Sequence, residues 1–150
     1  MNNINDNKIF DIANYIISKC DTITNMKLQK LVYYSHANFL IQNNKPLISS
    51  DIEAWIYGPV IRVLYQEFSS FSYKSIDKES QKGNKSKLTE SEKKSIDEIL
   101  ILYQNISAGD LSDKTHAEDP WQDAYKSTDW SENIITNDSI SSYYKNNPIS

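Results

Sequence analysis

The chain has 150 residues, of which 39% are apolar and 24% are charged, and its formal net charge is -4. This length and apolar content predict a single globular domain, residues 1–150, with a modest core. No apolar stretch approaches the roughly 20 residues needed to span a bilayer. Residues 1–20 also lack the basic start and uninterrupted apolar run of a signal peptide. We therefore expect a cytoplasmic protein with no membrane contact.

Residue counts exclude several kinds of site. Cys20 is the only cysteine, and His36 and His116 are the only histidines. One copy of the chain therefore cannot build an internal disulfide or a zinc site of four cysteine or histidine ligands. Three scattered glycines do not make a phosphate-binding loop, and the serine hydrolase pattern GxSxG does not occur. We expect no metal, no cofactor and no catalytic residues.

Charge is distributed unevenly along the chain. Residues 74–94 contain seven lysines and four acids, a net charge of +3, whereas residues 97–138 contain two lysines and ten acids, a net charge of -8. The acidic part favours a basic protein partner over nucleic acid. A solvated acidic surface without a partner explains the same pattern equally well. The lysine-rich part raises DNA-binding autoregulation as an alternative, which its own acids and the negative total charge disfavour.

The first part of the chain predicts two helices. Apolar residues recur at helical spacing in "IFDIANYIISKC", which predicts helix one over about residues 7–19. The segment "MKLQKLVYYSHANFLIQ" continues the pattern and predicts helix two, ending near Gln42 before the "NNKP" break. The N-cap candidates are Asn5 or Asp6 for helix one and Asn25 for helix two. The residues of helix two expected to face inward are Leu28, Leu31, Val32, Ser35 and Phe39.

The middle of the chain predicts one strand followed by a helix. In "DIEAWIY", apolar residues alternate with Glu53, Trp55 and Tyr57, as in a short half-buried strand. Gly58 and Pro59 are expected to form a flexible junction, with the proline at the first position of helix three. The inward-facing residues expected on that helix are Val60, Val63, Leu64 and Phe68.

The remaining elements follow from caps and short patterns. Residues 69–88 are rich in serine, lysine and asparagine, which predicts a mobile surface loop. Thr89 and Glu92 predict a capping box for helix four, which should bury Ile96, Ile99, Leu100 and Tyr103. Ser107 and Asp119 are the predicted N-caps of two short helices, and a brief extended piece at Ile134 and Ile135 should precede a last helix capped by Thr136 or Asn137. The expected fold is mainly α, a compact single-domain bundle of about six or seven helices with at most a small β hairpin or short sheet.

The stretch "THAEDPW", residues 115–121, raises the question of catalysis. His116 lies beside carboxylates, and an imidazole can act as a general base near neutral pH. Glu118 is only two residues away, a spacing that does not place the two side chains on the same helical face. A structural interpretation is favoured, in which Thr115 or His116 satisfies a helix end, Asp119 caps the next helix, Pro120 begins it and Trp121 anchors it. A small hydrolase or transferase using His116 is the alternative.

Three places are candidates for binding a partner. Lys30, Tyr33 and Tyr34 lie near the edge of the apolar face of helix two, and Trp55 and Tyr57 share one face of the predicted strand close to Arg62; His116 is the third. Aromatic residues and arginine are enriched in binding hot spots. The alternative for the tyrosines of helix two is packing in the core with only their hydroxyl groups exposed.

Three stretches together resemble one known family. "MKLQKLVYYSHANFL" resembles the second helix of the Panacea antitoxin-domain family, also described as SocA-like or phage-associated proteins. "PLISSDIEAWIYGPVIRVLYQEF" and "LSDKTHAEDPW" are similar to that family's next two blocks, in the same order, so the resemblance covers about residues 6–145. The departures are Ser35, His36 and Asn38, where the family commonly has Ala, Gln and an aromatic residue, and Arg62, where a neutral residue is frequent.

The resemblance implies a function and partners. It implies an antitoxin that binds a cognate toxin protein directly, with the toxin encoded next to it on a mobile element or prophage. It also implies, for at least one member, delivery of the toxin to an ATP-dependent protease. A homodimer is a further expectation. The resemblance does not identify the toxin, because the domain serves with many unrelated toxins.

Overall fold

The computed structural model describes residues 7–150, and this range contains seven α-helices and a small antiparallel sheet. The helices are α1 (Lys8–Lys19), α2 (Asn25–Asn43), α3 (Arg62–Glu67), α4 (Glu90–Tyr103), α5 (Ala108–His116), α6 (Asp119–Ala124) and α7 (Asn137–Asn146). The strands are β1 (Ile52–Trp55), β2 (Gly58–Val60) and β3 (Ile134–Ile135), in the order β2-β1-β3. The predicted mainly α fold with a short sheet is confirmed. None of the helices in residues 7–150 is long and apolar enough to cross a membrane.

Helix α2 is the centre of the molecule rather than an amphipathic surface helix. It packs against α1, α4, α5, α7 and β2, so most of its circumference is removed from water. The five residues predicted to face inward are all buried, and so are the polar residues Asn25, Gln29, Lys30, Ser35 and His36. Buried polar groups need hydrogen-bond partners, and all of these side chains except Ser35 bond to other segments, so they determine how those segments attach to α2.

The predicted N-cap of α2 is wrong by one residue. Thr24, in an extended conformation, caps the helix by accepting a hydrogen bond from the backbone N–H of Lys27. Asn25 is instead the first helical residue, and its side chain donates to the carbonyl of Tyr65 and accepts from Gln29. Helix α1 begins at Lys8, as predicted within one residue, whereas its predicted caps, Asn5 and Asp6, lie outside the described residues.

The predicted junction at Gly58 and Pro59 is a strand, which corrects the start of helix three. The chain turns back after Trp55, and β2 pairs antiparallel with β1 so that Pro59 lies opposite Ala54. Proline is tolerated there because β2 is an edge strand. Helix α3 therefore starts at Arg62, and Val63, expected to be buried, is 44% exposed.

Residues 69–88 pass over α1 with two 3-10 turns, Ser69–Phe71 and Lys85–Lys87, and are otherwise irregular. Two buried side chains of α1 bind the backbone of this segment. Asn14 accepts a hydrogen bond from the Ser80 N–H and donates to the Ser80 carbonyl, at 2.8 and 2.9 Å. Asp11 accepts from the N–H of Asn84 at 2.6 Å. Polar residues within the buried face of α1 thus add to the few apolar anchors of the segment, among them the buried Ile76 and Leu88.

The caps of the later helices were mostly predicted correctly. The capping box of Thr89 and Glu92 is present, and Ser107 and Thr136 cap α5 and α7. The predicted cap of α6 is wrong, because Asp119 is the first helical residue and Glu118 occupies the N-cap position. The Glu118 side chain does not cap the helix; it is buried against tyrosines of α2 and α7.

Candidate partner-binding site

The turn between β1 and β2 is held by three side chains from the α5–α6 region. Trp121 Nε1 donates to the carbonyl oxygen of Trp55 at 2.8 Å, and Ser112 Oγ donates to that of Tyr57 at 2.7 Å. Between them, His116 Nε2 lies 2.8 Å from the carbonyl oxygen of Ile56. The carbonyl groups of three consecutive residues therefore accept hydrogen bonds from side chains. These bonds fix the geometry of a turn whose carbonyl groups would otherwise need water as the donor.

Gly58 allows the turn to approach α2 and α5 closely. Its φ is +118°, a left-handed conformation that favours glycine. A Cβ atom at this position would lie 2.6 Å from Cε of Lys30 and 2.8 Å from Oγ1 of Thr115. Thr115 is buried, and its hydroxyl donates to the carbonyl of Ser112. The "GPV" and "TH" motifs therefore form one packed contact.

The helix joint that carries His116 is itself anchored in the core. Oε1 of Glu118 accepts hydrogen bonds from the hydroxyl groups of Tyr34 and Tyr144, at 2.8 and 2.7 Å. The hydroxyl oxygens of Tyr33 and Tyr144 are 3.1 Å apart. Because the Tyr144 hydroxyl donates its proton to Glu118, the Tyr33 hydroxyl is the donor in its bond to Tyr144. Burial raises the pKa of Tyr34 and Tyr144 above the ordinary range, and the nearby Glu118 carboxylate raises them further. These tyrosines remain neutral donors and fix the start of α6.

Beside the turn lies an aromatic cluster. The Trp55 ring contacts the rings of Tyr65 and Trp130, each at a centroid distance of 5.1 Å. The Arg62 guanidinium lies 5.1 Å from the Trp55 ring centre and forms two hydrogen bonds with the buried carboxylate of Glu53. Hydrogen bonding to Glu53 raises the pKa of Arg62. Arg62 is therefore held by an ion pair and an aromatic face, which restricts its freedom to reorient toward a partner.

Trp55, Tyr65 and Trp130 border a cleft of about 640 Å³, which we call the aromatic cleft. Its aromatic lining residues are Trp55, Tyr57, Tyr65, Tyr73 and Trp130. Tyr57 and Tyr73 are 60% and 82% exposed, and the neighbouring Ile56 is 47% exposed. Exposed aromatic side chains on a rigid frame are typical of interaction hot spots. The cleft is therefore the best-formed candidate site for a partner in the described residues.

Lys30, Tyr33 and Tyr34 lie in the core, which corrects the predicted contact surface on helix two. Their exposed fractions are 1%, 1% and 0%, so even the tyrosine hydroxyl groups are inside. The two tyrosines belong to the Glu118 network. Lys30 differs from the two tyrosines in that it also lines the aromatic cleft. Burial lowers the pKa of Lys30 to about 7.

The cleft brings together Trp55 and Tyr57, which the sequence predicted, with Tyr65, Tyr73 and Trp130, which it did not. Arg62 contacts the Trp55 ring, and His116 fixes the turn through its hydrogen bond to the Ile56 carbonyl group. Trp130 is far from Trp55 in sequence, and Tyr65 and Tyr73 follow no motif, so only the fold reveals their proximity. Nothing in the spacing of these residues could have identified them.

His116 and Glu118 point to different places, so the structure does not assemble the acid–base pair that "THAEDPW" suggested. The imidazole bonds the Ile56 carbonyl and lies 4.2 Å from the Trp121 ring, measured between ring centres. The Glu118 carboxylate bonds Tyr34 and Tyr144. The exposed Asp119 begins α6, the buried Pro120 occupies its first turn, and the half-buried Trp121 packs against the core.

Comparison with known proteins identifies the family of this chain. The family model for the antitoxin SocA-like Panacea domain matches residues 28–122, a range that holds most of α2, the β1–β2 turn and the start of α6. Antitoxin SocA of Caulobacter vibrioides (strain NA1000 / CB15N) is 40% identical over 63 residues, which are 39% of this chain and 34% of that protein. The match thus spans about a third of the relative's length. No solved structure matches. The chain belongs to the SocA-like antitoxin family defined by the Panacea domain.

Proposed function

We propose that this protein is an antitoxin that neutralises a cognate protein toxin by binding it directly through the aromatic cleft and the adjoining turn. The main support for the proposal is the exposed pair Ile56 and Tyr57. They lie on a turn in which three carbonyl groups accept hydrogen bonds from side chains of the α5–α6 region. A rigid turn loses little conformational entropy on binding, which favours affinity. The turn also lies inside the region that matches the antitoxin family.

The charge of the surface formed by α5, α6 and the segment before β3 favours a toxin with a basic contact region. Exposed acids lie on α5, on α6 and between α6 and β3: Asp110, Asp113, Asp119, Asp123, Asp129 and Glu132. Complementary charge accelerates association and excludes wrong partners. We propose that the toxin is encoded next to this protein, and that these exposed acids contribute to its selection.

Two further parts of the proposal concern the fate of the bound toxin and the assembly of the antitoxin. Antitoxin action by simple blocking leaves the toxin's half-life unchanged, whereas delivery to an ATP-dependent protease shortens it. We propose blocking as the primary action, with protease delivery and homodimer formation as separate additions. A pulse-chase measurement of the toxin with and without this protein distinguishes blocking from delivery.

An enzymatic role for His116 and a DNA-binding role for residues 74–94 are the competing functions. His116 is engaged by a backbone carbonyl and an aromatic ring, which supports a structural role. Lysines of the basic segment are paired with acids, as in Lys82–Glu67, Lys85–Glu79 and Lys94–Glu98. Such pairing reduces the charge available to phosphates. Both observations favour the protein-binding function.

Co-expression with the adjacent gene product tests the proposal. The toxin should arrest growth alone, and this protein should restore growth and co-purify with the toxin. Ile56→Ala should weaken both effects, whereas Ile101→Ala, a matched change at a residue 77% exposed on α4, should not. A neighbouring product that is harmless alone, or that remains toxic and unbound, would contradict the antitoxin function. Equal effects of the two substitutions would contradict the proposed surface.

A further inference from the structure

Lys30 is a buried amine whose surroundings do not satisfy its charged form. Nζ makes one hydrogen bond, to the carbonyl oxygen of Pro59 at 3.3 Å, whereas an ammonium group has three N–H donors. The residue is 1% exposed, and none of the ion pairs found in residues 7–150 involves it. A buried charge is normally paired, so this lysine departs from the usual pattern.

Although it is buried, Lys30 forms part of the wall of the aromatic cleft. It is the one residue with a charged side chain among the described residues that border the cleft. The other lining residues are aromatic, aliphatic, hydroxyl or amide side chains. The cleft therefore combines one cationic group with a wall in which aromatic and other apolar side chains predominate, the pattern of a pocket in which a few polar groups fix orientation.

The fold holds this amine in position. Gly58 packs directly against the Lys30 stem, since a Cβ there would meet Cε at 2.6 Å and Cδ at 3.4 Å. Thr115 Oγ1 lies close to the same glycine, 2.8 Å from that Cβ position. The aliphatic stem of Lys30 is thus packed directly against the turn that carries Gly58.

We propose that the aromatic cleft binds an acidic side chain of the toxin, with the carboxylate on Lys30 Nζ and a neighbouring apolar residue against the aromatic side chains that line the cleft. A carboxylate is the complement that an ammonium group in an apolar site requires, and charge-assisted hydrogen bonds are about twice as strong as neutral ones. The acidic side chain is a single group within a contact region of the toxin that is otherwise basic. The rest of that region faces the exposed acids of α5, α6 and the segment before β3. The inference rests on the proposed function and names the chemistry of its site.

Protonation provides a signature that a purely structural lysine lacks. Because burial lowers the pKa of Lys30 to about 7, the amine is mostly neutral at pH 8. A bound carboxylate favours the charged form, so binding at pH 8 should take up close to one proton. Calorimetry in two buffers with different ionisation enthalpies measures this uptake.

The first experiment uses the isolated protein and two probes, phenylacetate and its uncharged analogue phenylacetamide. Carbon NMR of the lysine Cε groups should show a Lys30 signal, identified by its loss in Lys30→Met, that shifts toward the ammonium position with phenylacetate. Phenylacetate should bind at least tenfold more tightly than the amide, and Lys30→Met should remove that difference. Lys145→Met, at an exposed residue of α7, is the control and should behave like the wild type. Equal binding of the two probes, or a Lys30 signal that does not move, overturns the inference.

The second experiment uses the toxin. Lys30→Met should melt no lower than the wild type, because methionine fills similar volume without a desolvation penalty, yet it should bind the toxin at least tenfold more weakly and without proton uptake. Toxin binding equal to wild type overturns the inference, even if phenylacetate binds. If the wild-type protein fails to bind the toxin while the probe experiment succeeds, the antitoxin proposal fails and the carboxylate site stands.

Discussion

The imidazole of His116 lies 2.8 Å from the carbonyl oxygen of Ile56, sixty positions earlier in the chain. This contact joins the two most distinctive motifs of the sequence, "AWIYGPV" and "THAEDPW". Trp121 and Ser112 reinforce it on either side. The histidine therefore acts on the surface indirectly, by fixing the backbone from which Ile56 and Tyr57 project.

Replacing His116 tests this role. His116→Ala should loosen the turn, lower stability by about 1 kcal/mol for the lost hydrogen bond, and weaken toxin neutralisation. His116→Gln should restore much of both, because the glutamine amide nitrogen reaches about as far as Nε2 and can donate to the same carbonyl. Amide hydrogen exchange at residues 55–58 and growth rescue measure the two effects. If glutamine is as damaging as alanine while exchange is unchanged, His116 has a chemical role instead.

A pair of glycine substitutions tests the close contact behind the turn. Gly58→Ala should destabilise the protein by roughly 1–3 kcal/mol, because φ is +118° and the new methyl group would overlap Lys30 and Thr115. Gly109→Ala should instead be neutral or stabilising by up to about 1 kcal/mol, since Gly109 is helical and a Cβ there has no contact closer than 4.0 Å. Urea denaturation of both variants provides the comparison. Equal stability of the two would contradict the packed contact.

The sequence predicted elements well wherever the signal was local. The capping box at Thr89, the cap at Ser107 and the extended pair at Ile134 depend on residues within one turn of each other, and all three are found. It failed at Pro59, because a proline at a helix start and a proline on an edge strand have the same local pattern. Only the pairing of Pro59 with Ala54 decides between them.

Burial around α2 was predicted less well for a physical reason. Because α2 packs on most sides, some of its buried residues are polar. The spacing of apolar residues alone therefore places Lys30 and Tyr34 at the edge of the apolar face of the helix. Their partners, Pro59 and Glu118, are distant in sequence. The aromatic cleft has the same origin, since Trp130 reaches Trp55 only through the pairing of β1 with β3.

A pair of serine substitutions tests hydrogen bonding in the core. Ser35 is fully buried on α2, and its hydroxyl has no hydrogen-bond partner within residues 7–150. Ser35→Ala should therefore stabilise the protein by about 1 kcal/mol, because a buried unsatisfied hydroxyl carries a desolvation penalty. Ser112→Ala, which removes the donor to the Tyr57 carbonyl, should destabilise it by a similar amount. Thermal melts should move in opposite directions, and a shift of the same sign in both would refute the assignment.

The buried His36 makes stability depend on pH in a defined direction. Its Nδ1 accepts hydrogen bonds from the N–H groups of Leu47 and Ile48, both at 3.3 Å, so the ring proton is on Nε2, which donates to Asn137 at 2.8 Å. Burial lowers the pKa of His36 below its ordinary value of 6.5, and the bond to Asn137 opposes this in part. Protonation of Nδ1 would break both backbone contacts.

The sign of the effect depends on proton binding in the two states. Below pH 6.5 the unfolded chain binds a proton at this position while the folded protein does not, so the free energy of unfolding should fall as pH drops from 6.5 toward the lowered pKa. Above pH 6.5 the contribution of His36 should be constant. Urea denaturation of the wild type and of His36→Gln between pH 5 and pH 8 measures it. The variant should be less stable at pH 8 and should lose less stability on acidification. Acids elsewhere titrate equally in both proteins, so the difference between them reports on His36. Parallel curves of stability against pH would mean that His36 is not held neutral by the fold.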